Sequence, residues 1–216
     1  MTVSAKICGI STLETAEAVI GGGAAYIGFI HFARSPRHLN LNAMAELMQA
    51  IRNGGRTLPL VSVVVDPDDE TLAVLRDTVR PDLIQLHGKE TPERTAAIKT
   101  ATGIGLIKAL SVSEAADIAA ATAYEPHVDY LMFDARTPKD AAMPGGLGIR
   151  FDWTLMTGYR GHTPWFLAGG ITADNVAEAV ALSGARLVDI SSGVESAPGV
   201  KDPGLISSFL QAVKSL

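Results

Sequence analysis

Residues 3–8 read Val-Ser-Ala-Lys-Ile-Cys, a short apolar run that ends at Cys8 directly before Gly9. Seven further β-rich runs follow along the chain, and longer segments of helical periodicity separate them. The later runs lie near residues 26–30, 60–65, 83–86, 106–110, 130–133, 165–167 and 187–190. This alternation is typical of βα units built around a parallel sheet.

Capping side chains mark where the intervening helices begin. Ser11 with Glu14 forms the pattern of a capping box. Asp66, Thr91 and Asp202 each precede a proline that would occupy the first helical position. The sixth helix, near residues 151–156, is predicted to be short.

Eight βα units in 216 residues, without a linker or a shift in composition, predict an α/β fold with a single domain over residues 1–216. The predicted architecture is a single (β/α)8 TIM barrel. A doubly wound open sheet is the alternative, and such sheets often bind their ligand at a Gly-x-Gly-x-x-Gly turn. Here the two glycine clusters have Tyr26 and Phe151 where the third glycine would stand, which favours the barrel.

Composition restricts the class of partner. The net charge is -5 and no cluster of Lys and Arg is present, so nucleic acid is not expected as a partner. The longest stretch without a charged side chain, residues 18–33, is too short to cross a bilayer, so no membrane partner is expected. A single cysteine, no Cys/His grouping with zinc spacing and no basic leader favour the reducing cytoplasm and predict no metal site.

In such a barrel the active site lies where strands end and βα loops begin. The ends of the seventh and eighth runs are rich in glycine and serine, and these ends hold a phosphate in many barrels through backbone N–H groups. A phosphorylated small molecule is therefore the predicted ligand. The phosphate-binding candidates at these two ends are Gly169, Gly170, Ser191, Ser192 and Gly193.

The strand-end residues together resemble the phosphoribosylanthranilate isomerase family of tryptophan biosynthesis. The resemblance extends along the whole chain, and one departure is Leu147, where the family more often has threonine. The segments that carry it are Lys6-Ile7-Cys8-Gly9, Ser35-Pro36-Arg37, residues 84–88, Phe133-Asp134, Gly145-Gly146, residues 167–171 and residues 189–195.

This resemblance implies an Amadori rearrangement, in which an aminoaldose becomes an aminoketose with no cofactor. It implies that Asp134 is the acid that protonates the furanose oxygen and that Cys8 is the base that deprotonates the adjacent sugar carbon. A free cysteine with a pKa of about 8.5 is about one-tenth ionised at a pH of about 7.5, so its use as a base costs about 1.4 kcal/mol. Strand alternation places Lys6 on the same side as Cys8, where an ammonium would favour the thiolate.

The resemblance also implies substrate contacts. Arg37 would bind the anthranilate carboxylate, for which its planar set of donors is well suited, and a solvated loop cation is the alternative interpretation of the residue. Asp189 either contacts substrate or braces the eighth strand. His87 would organise the substrate-binding end of the fourth strand, and Gly145 and Gly146 would join the phosphate-binding set.

Two other functions remain open at this point. The aminoaldose isomerase of histidine biosynthesis runs the same rearrangement on a similar barrel, but that family has aspartate where this chain has Cys8. A catalytically silent phosphate-binding barrel would not need both an acid and a base at separate strand ends. The oligomeric state is expected to be a monomer or a weak homodimer.

Overall fold

The computed structural model describes residues 2–136 and 148–216, and in this part of the chain eight parallel strands close into a barrel in chain order. The last strand pairs with the first, with Ser4 opposite Leu187. The predicted barrel is therefore confirmed, and all eight apolar runs are strands. Their bounds are β1 (Ser4–Cys8), β2 (Tyr26–His31), β3 (Leu60–Val64), β4 (Leu83–Leu86), β5 (Gly105–Val112), β6 (Tyr130–Ala135), β7 (Trp165–Leu167) and β8 (Leu187–Ile190).

Helices follow the strands and pack around the outside of the barrel. After β6 the connection contains a 3-10 helix, Trp153–Gly158, which agrees with the short sixth helix expected from the sequence. None of the helices in the described ranges is long and apolar enough to cross a membrane. The α-helices are α1 (Leu13–Gly21), α2 (Leu41–Asn53), α3 (Asp69–Val74), α4 (Pro92–Thr102), α5 (Ala115–Ala120), α6 (Val176–Ser183) and α7 (Pro203–Lys214).

Two of the predicted helix caps are confirmed and two are wrong. Thr91 and Asp202 cap α4 and α7 as expected. The cap of α1 is Thr12 instead of Ser11, because the Thr12 hydroxyl is the group that accepts a hydrogen bond from the backbone of the first turn. Asp68 instead of Asp66 caps α3.

Asp66 is displaced from the capping position by contacts between two loops. Its backbone has a positive φ of 46°, its N–H donates to Glu90 Oε1 at 2.8 Å, and its own Oδ1 accepts from Lys89 N at 2.7 Å. The end of β3 is thus tied to the loop after β4. Helix α3 begins only once the chain has left this connection.

The half of the barrel interior that lies near the strand starts is apolar. The rings of Tyr26, Tyr130 and Phe166 meet at centroid distances of 5.2 to 6.0 Å near the strand starts. Inward-pointing side chains of the middle strands, among them Met132 and Ile107, pack in the same cluster. This packing closes the bottom of the barrel and leaves the polar side chains at the carboxyl ends of the strands.

Glu90 fixes the loop that follows β4. Its side chain is almost fully buried and accepts from Lys108 Nζ at 2.6 Å, from Asp66 N at 2.8 Å and from Gly88 N at 3.0 Å. Lys108 is equally buried and also donates to the carbonyl of Gly88 at 2.9 Å. One buried ion pair therefore holds the ends of β3, β4 and β5 together.

We expect Glu90→Gln to lower the free energy of unfolding by about 3–5 kcal/mol, because it leaves the Lys108 ammonium buried without its counter-ion. Urea denaturation measures this loss. The matched control is Asp77→Ala, which breaks an exposed ion pair with Arg76 and should change the stability little. Equal losses in the two variants would contradict the role given to Glu90.

Candidate active site

The carboxyl end of β1 carries a buried thiol next to a buried ion pair. Cys8 is 4% exposed and Lys6 is fully buried two residues before it. Lys6 Nζ donates to Asp189 Oδ1 on β8 at 2.7 Å, and the two residues are also register partners. Lys6 points to the same side of the strand as Cys8, as strand alternation predicted. Asp189 braces the closure of the barrel and at the same time lines a pocket at this end.

Gly28 on β2 provides the room for this group. A Cβ atom at this position would lie 2.8 Å from Cys8 Sγ and 3.0 Å from Lys6 Nζ, so the two polar atoms lie beside each other over the glycine. Any larger residue would displace one of them. Sequence reasoning missed Gly28, although a glycine inside a strand is a recognised sign of close approach.

Burial raises the pKa of the Cys8 thiol, and the negative charge of Asp189 raises it further. The positive charges of Lys6 and Lys201 lower it but do not outweigh burial. Burial would also lower the pKa of Lys6, yet Asp189 and Cys8 raise it overall, so Lys6 stays an ammonium. The expected direction of the Lys6 effect is correct, but ionising Cys8 costs more than the sequence estimate for a free cysteine.

Asp134 lies at the end of β6 with both carboxyl oxygens in contact with nitrogen atoms. Oδ1 accepts from the N–H of Ala135 at 2.8 Å, and Oδ2 lies 3.3 Å from Nε2 of His87 at the end of β4. The side chain is largely buried. The sequence pattern predicted roles for both Asp134 and His87 but not the contact between them.

Beside Asp134 and Asp189, a pocket is lined by the glycine-rich ends of β7 and β8. Gly169 and Gly170 have φ values of 85° and 64°, and a Cβ on Gly169 would lie 2.9 Å from Asp134 Oδ1. Only glycine fits there without strain. The predicted phosphate residues that line this pocket are Gly169, Gly170, Ser191, Ser192 and Gly193. Gly145 and Gly146 lie outside the described residues.

Arg37 is not a solvated loop cation, so that alternative for the residue is wrong. It is 4% exposed, and its Nε and Nη2 donate to the two oxygens of Glu195 at 2.6 and 2.8 Å. A Cβ on Gly9 would lie 2.7 Å from Arg37 Cδ, so the arginine covers the turn after Cys8.

Glu195 belongs to a hairpin after β8, formed by β9 (Glu195–Ala197) and β10 (Val200–Lys201). Lys201 Nζ donates to Glu195 Oε1 at 2.7 Å and to the carbonyl of Ser191 at 2.8 Å. Burial alone would raise the pKa of Glu195, but hydrogen bonds from Arg37 and Lys201 lower it overall. Arg37 and Lys201 thus share the carboxylate of Glu195. The sequence pattern predicted no role for Glu195 or Lys201, since buried charges leave no periodic signal.

Within residues 2–136 and 148–216, no group of three or more His, Cys, Asp or Glu side chains is arranged to hold a metal ion. The side chains at this end of the barrel supply a thiol, a carboxyl group, a cationic cluster and a glycine-rich turn. Such a set can move protons on an anionic substrate.

The family model described as N-(5'phosphoribosyl)anthranilate (PRA) isomerase matches residues 5–212 of the chain. The N-(5'-phosphoribosyl)anthranilate isomerase of Caulobacter sp. (strain K31) is 53% identical over 212 residues, which cover 98% of this chain and 99% of the relative. The crystal structure of phosphoribosyl anthranilate isomerase from Thermus thermophilus has a TM-score of 0.85 at 28% identity, with 99% of each chain covered. A phosphoribosyl anthranilate isomerase in complex with reduced 1-(o-carboxyphenylamino)-1-deoxyribulose 5-phosphate has a TM-score of 0.81 at 28% identity and covers 100% of both chains.

Because Cys8 is the chain's only cysteine, its ionisation can be followed by the rate of alkylation with iodoacetamide. The thiolate is the reactive form, and burial favours the neutral thiol, so the pH of half-maximal rate should be higher in the folded protein than in the urea-unfolded protein. Restricted access slows the reaction at every pH without moving its midpoint. A lower midpoint in the folded protein would mean that the charge of Lys6 outweighs burial.

Proposed function

The chain belongs to the N-(5'-phosphoribosyl)anthranilate isomerase family, and on that premise we propose that Cys8 and Asp134 carry out the proton transfers of the family's reaction. The enzyme acts in tryptophan biosynthesis, where it isomerises the aminoaldose N-(5-phosphoribosyl)anthranilate to the aminoketose 1-(2-carboxyphenylamino)-1-deoxyribulose 5-phosphate. Substrate and product contain the same atoms. The reaction therefore consists of ring opening and the transfer of protons.

The order of strands around the barrel is the observation that carries this assignment. Asp134 is on β6, the glycine-rich pocket is at the ends of β7 and β8, and Cys8 is on β1, which is paired with β8. These four strands are consecutive around the barrel. A sugar whose phosphate lies in the pocket is therefore flanked by the acid on one side and the base on the other.

In the first step, protonated Asp134 gives its proton to the ring oxygen of the ribose. The bond between that oxygen and the anomeric carbon breaks, and the nitrogen lone pair forms a C=N bond. The resulting carboxylate keeps the hydrogen bond from Ala135 N, and His87 Nε2 faces its other oxygen. These contacts orient the group toward the pocket.

In the second step, the thiolate of Cys8 takes the proton from the sugar carbon next to the C=N bond. The electrons of that C–H bond form the C=C bond of an enolamine, and the C=N electrons return to the nitrogen. The ketone forms when the enol hydroxyl loses its proton and the former anomeric carbon gains one. The neighbouring Lys6 ammonium stabilises the thiolate and opposes the effect of burial. Asp189 holds Lys6 in this position.

The phosphate binds to the turn formed by Gly169, Gly170, Ser191, Ser192 and Gly193. The positive φ values of the first two glycines support this role, because they bring the backbone close to the pocket.

Arg37 binds the anthranilate carboxylate. Its guanidinium lies over the turn that follows Cys8, and its planar set of N–H donors suits a carboxylate. Glu195 holds the guanidinium in place.

The protein is a monomer or a weak homodimer and works in the cytoplasm. A functional free thiol is compatible with a reducing compartment. In the part of the chain that the structure describes, the exposed large apolar side chains are distributed over three helices, loops and a short strand. They are Leu13, Ile149, Leu182, Val200, Leu205 and Leu216.

We expect the purified protein to convert N-(5-phosphoribosyl)anthranilate to its ketose isomer, followed as loss of the anthranilate fluorescence of the substrate. Cys8→Ser should lower kcat by about 100-fold or more, because a hydroxyl is far less ionised than a thiol. Asp134→Asn should lower it similarly, because an amide is a poor proton donor. Both variants should still bind the reduced product analogue.

The aminoaldose of histidine biosynthesis is the control substrate. Turnover of that compound with none of the anthranilate compound would refute the substrate assignment and keep the reaction type. Near-normal turnover in Cys8→Ser or Asp134→Asn would refute the role of that residue.

Arg37→Gln should raise KM by about 10-fold or more with a smaller change in kcat, because a carboxylate remote from the reacting carbon is bound about equally in the ground state and the transition state. Arg52→Gln is the matched control, since Arg52 also pairs with a carboxylate but lies on the outer helix α2. An unchanged KM in Arg37→Gln would leave Arg37 with a purely structural role.

A further inference from the structure

We propose that Gln85 fixes the tautomer of His87, so that a neutral imidazole donates its Nε2–H to Asp134. The inference rests on the proposed role of Asp134 as the acid, and it makes Gln85 a positioning residue of the reaction. Gln85 lies on β4 inside the barrel, 1% exposed, two residues before His87.

The amide nitrogen of Gln85 determines which nitrogen of the imidazole carries the proton. Gln85 Nε2 lies 2.9 Å from His87 Nδ1, and an amide nitrogen donates but does not accept. Nδ1 must therefore offer its lone pair, and in a neutral ring the proton is then on Nε2. That nitrogen is the one that lies 3.3 Å from Asp134 Oδ2.

The surroundings of the amide support this orientation over the flipped one. Gln85 Nε2 also lies 3.3 Å from the sulfur of Met132, so both of its hydrogens point at acceptors. Gln85 Oε1 is buried and has no hydrogen-bond partner among the described residues. A flipped amide would move two donors to the site of that orphaned oxygen, and two unsatisfied donors are worse than one unsatisfied acceptor.

A buried carbonyl without a partner is a cost that packing alone does not explain. Methionine has a similar length and would fill the same space beside Met132 without an orphaned polar atom. The feature of Gln85 that methionine lacks is the donor toward His87. The barrel thus retains the unfavourable buried carbonyl of Gln85 because the amide nitrogen of the same side chain sets the tautomer of His87 beside Asp134.

The tautomer of His87 with its proton on Nε2 suits the role of Asp134 as the acid. If the proton were on Nδ1, the bare Nε2 would accept the proton of Asp134 in competition with the substrate. With the proton on Nε2, His87 has no lone pair facing Asp134 and cannot accept the proton of the acid. Instead, His87 donates a hydrogen bond to the Asp134 carboxylate that ring opening leaves behind. The proton of the acid is thereby reserved for the ribose oxygen.

The tautomer is tested directly by 15N NMR of histidine-labelled wild-type protein, with the His87→Asn spectrum used to assign the signals of His87. The expected pattern is a pyridine-type Nδ1 and a pyrrole-type Nε2, and this pattern should be lost in Gln85→Met. The reverse pattern in the wild type would overturn the inference. Because this measurement involves no turnover, it stands even if Asp134→Asn proves fully active.

Kinetics and stability separate a positioning role from a structural one. In Gln85→Met, kcat should fall about 10- to 100-fold with KM nearly unchanged, while the melting temperature stays the same or rises because the orphaned oxygen is gone. Gln85→Glu should lower kcat further, since a carboxylate at this place draws the proton to Nδ1.

Thr95→Val is the matched control, because Thr95 Oγ1 is another buried oxygen without a partner in the described ranges, located on the outer helix α4. This variant should gain stability with unchanged kcat. Wild-type kcat in Gln85→Met, or a loss of stability with no change in the 15N pattern, would refute the role of Gln85.

Discussion

The contact between Lys6 on β1 and Asp189 on β8 is the interaction on which the rest of the structure depends. The two residues face each other where the first strand pairs with the last, with Nζ 2.7 Å from Oδ1. Neither charge can be buried there alone, because an isolated ion in a protein interior carries a penalty of several kcal/mol. The pairing of β1 with β8 closes the barrel and at the same time neutralises these charges. The same ion pair forms the charged surroundings of Cys8.

The interior of the barrel has an apolar end and a polar end. Aromatic and aliphatic side chains around Phe166 fill the end near the strand starts, and the polar groups occupy the opposite end. Cys8, Gln85, Asp134 and Asp189 are all on strands, so regular backbone positions them. Loop residues contribute through anchored contacts, such as the pair formed by Arg37 and Glu195. Functional groups held in this way keep their geometry better than groups on free loops.

Local pattern predicted the strands well because buried parallel strands are continuous apolar runs between turn signals. It also predicted the strand-end positions of Cys8 and Asp134. It misplaced the start of α3, because a contact between two loops removed Asp66 from the capping position. It could not show that Arg37 meets Glu195, 158 positions away, since periodicity contains no information on distant pairs.

Three contacts of the candidate site share one topological property. Lys6 meets Asp189, Arg37 meets Glu195, and His87 meets Asp134, so each pair joins the first four strands to the last four. A nascent chain that has emerged only as far as His87 holds one member of each of these three pairs and none of their partners. None of these three contacts can therefore form on the ribosome before the second half of the barrel has been synthesised. A gene fragment encoding either half-barrel would supply only one member of each pair.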